Sequence, residues 1–167
     1  MNRVAIFIGS DSDAEVIQEA VGVLEGFGIS YTLEVTSAHR SPSRTVSLVR
    51  KAEAEGAAVF IAAAGKAAHL AGVVAAHTVK PVIGVPVESS SLGGLDALLS
   101  TIQMPKGVPV ATMALGRTGA ANAAYLAAQI LGLADPALKD KLEAHKKKME
   151  DKVEEASLKL RRKKDSG

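Results

Sequence analysis

Five short apolar runs alternate with segments of helical periodicity, and this alternation limits the folds that the chain can adopt. The apolar runs, which predict β-strands, lie at residues 3–9, 31–35, 58–64, 81–86 and 109–115. The helical segments lie at residues 14–26, 43–55, 67–79, 95–103 and 119–132, with Gly28, Gly56 and Gly132 where helices should end. Successive strand-helix units predict a single-domain α/β fold. We expect a doubly wound parallel sheet, a flavodoxin-like three-layer sandwich with strand order 2-1-3-4-5.

The predicted core must be built from small and branched aliphatic side chains. Hydrophobic residues make up 47% of the chain and aromatic residues only 3%, which suits a parallel sheet covered by alanine-rich helices. The sequence has no cysteine, which excludes disulfides and thiolate metal sites and fits the cytoplasm, where we expect the protein. The apolar run near the start is too short for a signal peptide, and no stretch approaches the roughly 20 apolar residues of a membrane span.

Segment 136–167 differs from the domain that we predict over residues 1–135. It holds 11 Lys and Arg against 7 Asp and Glu, whereas residues 1–135 hold 9 against 11. Pro136 suits the first turn of a helix. Apolar or aromatic positions recur there at steps of three or four: Leu138, Leu142, His145, Met149, Val153, Ala156 and Leu160. Because residues 1–135 already close the fold, we expect this extra C-terminal helix to pack on a neighbouring subunit rather than back across its own sheet.

The basic run at the C-terminus, LKLRRKKDSG, would be the only support for a nucleic-acid partner. It carries no interleaved aromatic residues on which bases could stack. We therefore interpret it as a solvated chain end and expect neither a nucleic-acid nor a membrane partner.

Four loops should meet at one edge of the predicted sheet. In a doubly wound fold, ligands bind beyond the carboxyl ends of the strands. This rule selects the segments GSDSD (9–13), SAHRSP (37–42), AAGKAAHLAG (63–72) and VPVESSSLGG (85–94). All four are rich in small and polar residues that allow a backbone to approach a ligand closely.

The first of these loops combines a glycine turn with the start of a helix, a combination that attracts anions. Ser10 and Ser12 can donate hydroxyl hydrogen bonds to a phosphate, and Asp13 is suited to accept hydrogen bonds from ribose hydroxyls. Because carboxylates repel phosphate, the phosphate also needs a cation from elsewhere. In the alternative interpretation, Ser12 or Asp13 simply caps the helix.

The second loop places a histidine beside an arginine where a strand gives way to a helix. Arg40 can supply the missing cation and grip a phosphate with its planar guanidinium. His39 could then exchange a proton near neutral pH at the other end of the ligand. Pro42 fits the first turn of the following helix. The alternative is a capping or other structural role for His39.

The third loop offers small residues around a second histidine, His69, with Lys66 able to attract a carboxylate. His69 and His77 are eight residues apart, which is not the spacing of a helical metal-binding pair, so we predict no metal site. The chain has no dinucleotide-binding glycine motif, no Walker lysine and no nucleophile elbow. The residues alone therefore predict a small phosphorylated ligand and proton transfer by His39, without a cofactor.

At these loops the sequence resembles the N5-carboxyaminoimidazole ribonucleotide mutase family of purine biosynthesis. The resemblance runs from Val4 to Leu131 and continues through PVIGVPV, LDALLSTIQMPKGVPVATMALG and GAANAAYLAAQIL. It implies rearrangement of N5-carboxyaminoimidazole ribonucleotide to 4-carboxy-5-aminoimidazole ribonucleotide, without metal or cofactor, by a homo-octamer with active sites at subunit contacts. It also implies that His39 is the general acid and base and that Ser10, Asp13 and Arg40 bind the nucleotide. The further substrate-binding residues that we predict are Ser12, Ser37, Gly65, Lys66, Ala67, His69 and Leu70.

Two positions of the third loop depart from the family pattern. Lys66 stands where glycine is usual, and Ala71 stands where proline is usual. Three alternative functions therefore stay open: direct carboxylation of aminoimidazole ribonucleotide with CO2, a non-catalytic nucleotide-binding module on the same fold, and a related carboxylase of a pyridine mononucleotide.

Overall fold

The computed structural model describes residues 4–165, with side chains described as far as residue 161. The strands are β1 (Val4–Ile8), β2 (Tyr31–Val35), β3 (Val59–Gly65), β4 (Val82–Val87) and β5 (Ala111–Thr112). The helices are α1 (Ala14–Phe27), α2 (Pro42–Ala54), α3 (Leu70–Ala75), α4 (Leu95–Ile102), α5 (Gly116–Gly132) and α6 (Pro136–Asp165). The predicted strand start at residue 3 and the chain end at 166–167 lie outside the described residues. No helix within residues 4–165 has both the length and the apolar character needed to span a bilayer.

The five strands form one parallel sheet in the order β2-β1-β3-β4-β5. This confirms the predicted flavodoxin-like topology, including the position of the first strand between the second and the third. The sheet is covered on both faces by helices, as a doubly wound fold requires. Alternate residues of β1 point to opposite faces: Ile6 packs with α1 and α5, whereas Phe7 packs with α2 and α3.

The core is aliphatic, as the composition predicts. Under the α1 and α5 face, alanines of α5 lie against the branched side chains of the central strands, and Ala120, Ala124 and Ala127 have no exposed surface. The small side chains let α5 approach the sheet and α1 closely, so branched residues on the strands fill the remaining volume.

Two predicted elements are shorter in the structure. The fifth strand is predicted over 109–115, but only Ala111 and Thr112 pair with β4. Pro109 has no amide hydrogen to donate and lies at the sheet edge, which limits the ladder. The third helix is predicted over 67–79 but extends only from Leu70 to Ala75, because residues 66–69 form tight turns instead.

The predicted helix ends are correct at two glycines and wrong at the third. Gly28 ends α1 in a left-handed conformation with φ 73°, and Gly56 follows the end of α2 with φ 89°. Gly132, in contrast, lies within the last turn of α5, and Leu133 caps that helix. A Cβ at Gly132 would lie 3.2 Å from Leu142 Cδ1, so the glycine allows α6 to pack closely against α5.

The first half of α6 contacts its own domain. Leu138 is buried, Lys141 Nζ donates to the Phe27 carbonyl at 3.0 Å, and the His145 ring packs between Phe27 and Tyr125. The second half carries the rest of the predicted apolar stripe into solvent, with Met149 47% exposed and Val153 71% exposed. Packing of α6 on a neighbouring subunit stays a prediction, and it now concerns this second half.

Candidate active site

Three of the four predicted loops, together with one residue of the fourth, enclose a cavity of about 600 Å³ at the carboxyl edge of the sheet. Register explains why they meet: Ile8 of β1 lies between Val35 of β2 and Ala63 of β3, so the strands end nearly level. Every predicted site residue lines this cavity: Ser10, Ser12, Asp13, Ser37, His39, Arg40, Gly65, Lys66, Ala67, His69 and Leu70. The structure thus brings the whole predicted set together, while the role of each residue stays a prediction.

The first loop is a single turn of 3₁₀ helix, Asp11–Asp13, that leads directly into α1. Its cap is Ser10, whose hydroxyl accepts from Ser12 N–H at 3.4 Å, while the Asp13 carboxylate accepts from Ser10 N–H at 3.1 Å. The capping interpretation is therefore correct for Asp13, which is the N-cap residue of α1 although its side chain makes no capping hydrogen bond there, while Ser10 caps the preceding 3₁₀ turn. The Ser10 and Ser12 hydroxyls lie 3.0 Å apart at the cavity wall.

Asp13 is a buried carboxyl group in a cavity that otherwise carries cationic side chains. It is only 4% exposed, and this burial raises its pKa above the ordinary value of 3.8. Hydrogen bonds from Ser10 and Ser12 act in the opposite direction but are the smaller effect. Burial therefore favours the neutral form of this carboxyl group more than water would, and its Oδ2 already accepts from Ser10 N–H.

The second loop is braced by its own hydroxyl groups. The Thr36 and Thr45 hydroxyls share a buried hydrogen bond of 2.8 Å. Ser41 Oγ accepts from Ser37 N–H at 3.1 Å and donates to the Ser37 carbonyl at 3.0 Å. Ser37 Oγ in turn accepts from Arg40 N–H at 3.2 Å. These contacts fix the backbone on both sides of His39.

Arg40 extends from this loop towards the first loop. Its Nη2 lies 3.5 Å from the Gly9 carbonyl, and its Nε lies 3.5 Å from Ser37 Oγ. The guanidinium therefore stands beside the turn that carries Ser10 and Ser12. A cation and two hydroxyls that converge in this way suit a phosphate group.

His39 lies against His69 of the third loop. His39 Nε2 is 2.7 Å from His69 Nδ1, and the two rings meet edge to face with centroids 4.8 Å apart. One ring must donate and the other accept, so the pair holds a proton between them. Pro42 begins α2 as predicted, with Ser41 as its cap residue. The imidazole of His39 is thus not a helix cap, and its contact is with another imidazole inside the cavity.

The third loop turns sharply between β3 and α3. Gly65 has no room for a side chain, because a Cβ there would lie 1.8 Å from Ser89 Oγ and 3.0 Å from the Val87 carbonyl. Lys66 follows with φ 54°, the only non-glycine residue with positive φ in the described range 4–165. Two further hydrogen bonds, Ala68 N–H to the Lys66 carbonyl and His69 N–H to the Ala67 carbonyl, complete the turn.

The site-residue prediction misses four lining residues: Gly9, Ala38, Ala64 and Ser89. The first three adjoin predicted residues, and all three lie inside the selected loop segments, so a prediction that included whole loops would have contained them. Ser89 comes from the fourth selected loop, which follows the carboxyl end of β4. Its place in that loop is the sequence feature that could have identified it. Among the described residues, no three His, Asp or Glu side chains are grouped so that they could hold a metal ion.

The fold and the site together define a class. This is a doubly wound α/β protein whose crevice contains a histidine pair, His39 and His69. It also contains the Arg40 guanidinium beside the Ser10 and Ser12 hydroxyls, a group of side chains that we call the anion cradle. The model of the AIR carboxylase family matches residues 3–152, and the chain belongs to this family.

Relatives extend this match across most of the chain. It is 52% identical to the N5-carboxyaminoimidazole ribonucleotide mutase of Pyrococcus horikoshii over 157 residues, covering 94% of this chain and 88% of the relative. It is 49% identical to the Escherichia coli K12 protein of the same name, covering 90% of this chain and 89% of the relative. The crystal structure of Treponema denticola PurE superposes with a TM-score of 0.86 at 31% identity, covering 94% and 97% of the two chains.

Proposed function

We propose that this chain is a purine-biosynthesis isomerase that rearranges N5-carboxyaminoimidazole ribonucleotide to 4-carboxy-5-aminoimidazole ribonucleotide. The observation that carries the proposal is the contact of His39 with His69 inside a cavity that also holds an anion cradle, in a chain that the mutases match over most of its length. Neither the non-catalytic module nor the pyridine mononucleotide carboxylase is favoured by any feature of the crevice.

The anion cradle binds the phosphate of the ribonucleotide. Arg40 supplies the charge, and the hydroxyls of Ser10 and Ser12 donate to phosphate oxygens beside it. Asp13 accepts from a ribose hydroxyl, and Ser37 holds the Arg40 backbone and side chain in place. The nucleotide is anchored at this end, so its heterocycle extends towards the histidine pair and is covered by the third loop, with Gly65, Ala67 and Leu70 at the ring.

His39 is the general acid and base. The bond between N5 and the carboxylate carbon breaks, the electron pair stays on N5, and an imidazolium at His39 gives N5 a proton as CO2 forms. Carbon 4 of the ring then attacks the trapped CO2, and His39 accepts the proton that carbon 4 loses. The proton count balances, because His39 ends as it began. His69 shares the proton with His39 during the cycle and fixes the orientation of its ring.

Trapping CO2 requires a wall that excludes water and offers no competing nucleophile. Small apolar side chains line the cavity next to the histidines: Ala38, Ala64, Ala67 and Leu70, of which Leu70 is buried. The proposed chemistry uses protein side chains alone and needs neither metal nor organic cofactor.

The test compares two substrates without ATP. Purified protein is incubated with N5-carboxyaminoimidazole ribonucleotide at low bicarbonate and, separately, with aminoimidazole ribonucleotide plus bicarbonate, and the 4-carboxy product is measured. We expect conversion of the first and little use of the second. Efficient use of the second substrate would instead identify a direct carboxylase, and no turnover of either would identify a binding module.

We further propose that the protein assembles as a homo-octamer in which the second half of α6 packs on a neighbouring subunit. Met149, Val153, Leu158 and Leu160 leave an apolar helix surface that the domain itself does not cover. A chain that ends after Lys148 should therefore no longer form a particle of eight chains in light scattering, while keeping the helical circular dichroism expected for residues 1–148. A particle that still holds eight truncated chains would exclude this role for α6.

The protein should act in the cytoplasm. Its proposed substrate carries a phosphate and a carboxylate, and such an anion does not cross a bilayer unaided. The enzyme must then work in the compartment in which the nucleotide is made, which cell fractionation with an antibody to the native protein would test.

A further inference from the structure

Lys66 adopts a backbone conformation that a lysine disfavours. Its φ of 54° lies in the left-handed region, which is less favourable than the right-handed region for an L-residue with a Cβ. Glycine would avoid this cost. Asparagine or aspartate can recover part of it through local hydrogen bonds, but a lysine ammonium on a four-carbon stem cannot. We therefore expect the side chain of Lys66 to have a function that offsets this backbone cost.

The conformation is imposed by the loop and not by the side chain. Gly65 must pass close to Ser89, and the hydrogen bonds from Ala68 N–H and His69 N–H close successive turns directly after it. These turns carry His69 to within 2.7 Å of His39. Lys66 thus belongs to the same short turn that delivers the second histidine to the cavity.

The charge of Lys66 has no ion-pair partner among the described side chains. The side chain is exposed, lines the cavity, and forms no ion pair with any carboxylate of the described side chains, residues 4–161. The carboxyl group that lines the cavity, Asp13, is already engaged by Ser10 N–H. The other lysine or arginine of the cavity lining, Arg40, stands beside the first loop.

Arg40 therefore stands beside the first loop, whereas Lys66 belongs to the turn that carries His69. The proposed substrate has two anionic groups at opposite ends, its phosphate and its carboxylate. We propose that Lys66 is a specificity-determining residue that binds the carboxylate being transferred, and this proposal rests on the proposed function. The flexible stem lets the ammonium follow the carboxylate from N5 to carbon 4, so the enzyme distinguishes carboxylated from uncarboxylated nucleotide.

The experiment measures binding rather than turnover. Isothermal titration compares 4-carboxy-5-aminoimidazole ribonucleotide with aminoimidazole ribonucleotide in the wild type and in Lys66→Met, Lys66→Arg and Lys66→Gly. We expect Lys66→Met to weaken binding of the carboxylated nucleotide about tenfold and that of the uncarboxylated one less than twofold. Lys66→Arg should recover most of the loss. Lys80→Met, a change at an exposed lysine outside the cavity, is the matched control and should alter neither value.

Lys66→Gly distinguishes the effect of losing the ammonium group from the effect of the strained backbone conformation. It should lose the same carboxylate preference as Lys66→Met but melt at a higher temperature, since the left-handed strain is removed. Equal weakening of both nucleotides by Lys66→Met, or no weakening of either, would overturn the proposal. Failure of the wild type to bind either nucleotide would instead overturn the proposed function, and this result differs from both of the others.

Discussion

The second and third loops meet at the histidine pair but are built in opposite ways. Thr36, Ser37, Ser41 and Thr45 brace the second loop with hydroxyl hydrogen bonds that hold both sides of His39. The third loop is closed across residues 66–69 by backbone hydrogen bonds, and its side-chain hydrogen bond, from His69, reaches His39 in the second loop. It also has a glycine in close contact with Ser89 and a lysine in a left-handed conformation.

This difference in bracing indicates that the two loops have different tasks. Catalytic positioning improves when side chains are held by many local contacts, whereas a loop that must admit and enclose a ligand keeps fewer. We infer that the second loop fixes the acid-base group and the phosphate cation, and that the third loop closes around the heterocycle and its carboxylate. Three substitutions test this comparison, and a fourth at Asp13 tests the first loop beside it; they follow from the largest expected effect to the smallest.

His39→Asn should break the chemistry of the second loop without disturbing its structure. Turnover should fall by roughly 10²–10⁴-fold, since general acid-base catalysis contributes that much, while nucleotide binding stays near normal. Steady-state kinetics and titration with the 4-carboxy product would measure the two effects. His77→Asn, outside the cavity, is the control. Parallel loss of binding and turnover would assign His39 a structural role.

Arg40→Ala should act on binding instead of chemistry. Loss of a charge-assisted phosphate contact should weaken nucleotide binding by about 2–4 kcal/mol, with ribose 5-phosphate affected as strongly as the full nucleotide. Arg50→Ala, an exposed arginine on α2, serves as the control in the same titrations. Unchanged affinity for ribose 5-phosphate would remove Arg40 from the phosphate site.

Gly65→Ala should damage the third loop through packing. The added methyl would overlap Ser89 Oγ and lie 3.0 Å from the Val87 carbonyl, so the turn must shift. We expect a loss of about 1–3 kcal/mol in the free energy of unfolding, measured by denaturant titration. Gly22→Ala, whose new methyl would meet nothing within 4 Å, is the control. If Gly65→Ala were as stable as the wild type, the loop would be more adaptable than its contacts suggest.

Asp13→Asn should change stability less than Gly65→Ala does, and it should raise the free energy of unfolding instead of lowering it. Burial raises the Asp13 pKa, so the folded protein binds a proton more readily than the unfolded chain at pH values just above 3.8. Stability from this group is therefore lost as pH rises through that window. The neutral amide avoids the loss, and melting at pH 7 should rise by a few degrees at most.

The gain should shrink as the pH falls towards the ordinary carboxyl value of 3.8, because the raised pKa lets the wild-type carboxyl group take up its proton above that value. Asp140→Asn, an exposed change on α6, should show no such dependence. A constant difference between Asp13→Asn and the wild type from pH 4 to pH 8 would contradict the raised pKa. Nucleotide binding should weaken even as the protein becomes more stable, if Asp13 accepts from a ribose hydroxyl.

The sequence by itself determined the strand-helix alternation, the sheet order, the four loops at the carboxyl edge and eleven of the residues that line the cavity. These follow from periodicity, from turn residues and from the rule that parallel strands end at a common edge, all of which are local or topological properties.

Only the tertiary structure decided the direct contact between His39 and His69, the strain at Lys66, the capping role of Ser10 and the division of α6 into a packed and an exposed half. Each of these depends on distances between residues far apart in the chain or on a backbone angle imposed by a neighbouring element, which no local pattern encodes. The short β5 and α3 have the same cause, because sheet-edge pairing and the Gly65–Ser89 contact overrode the local apolar periodicity.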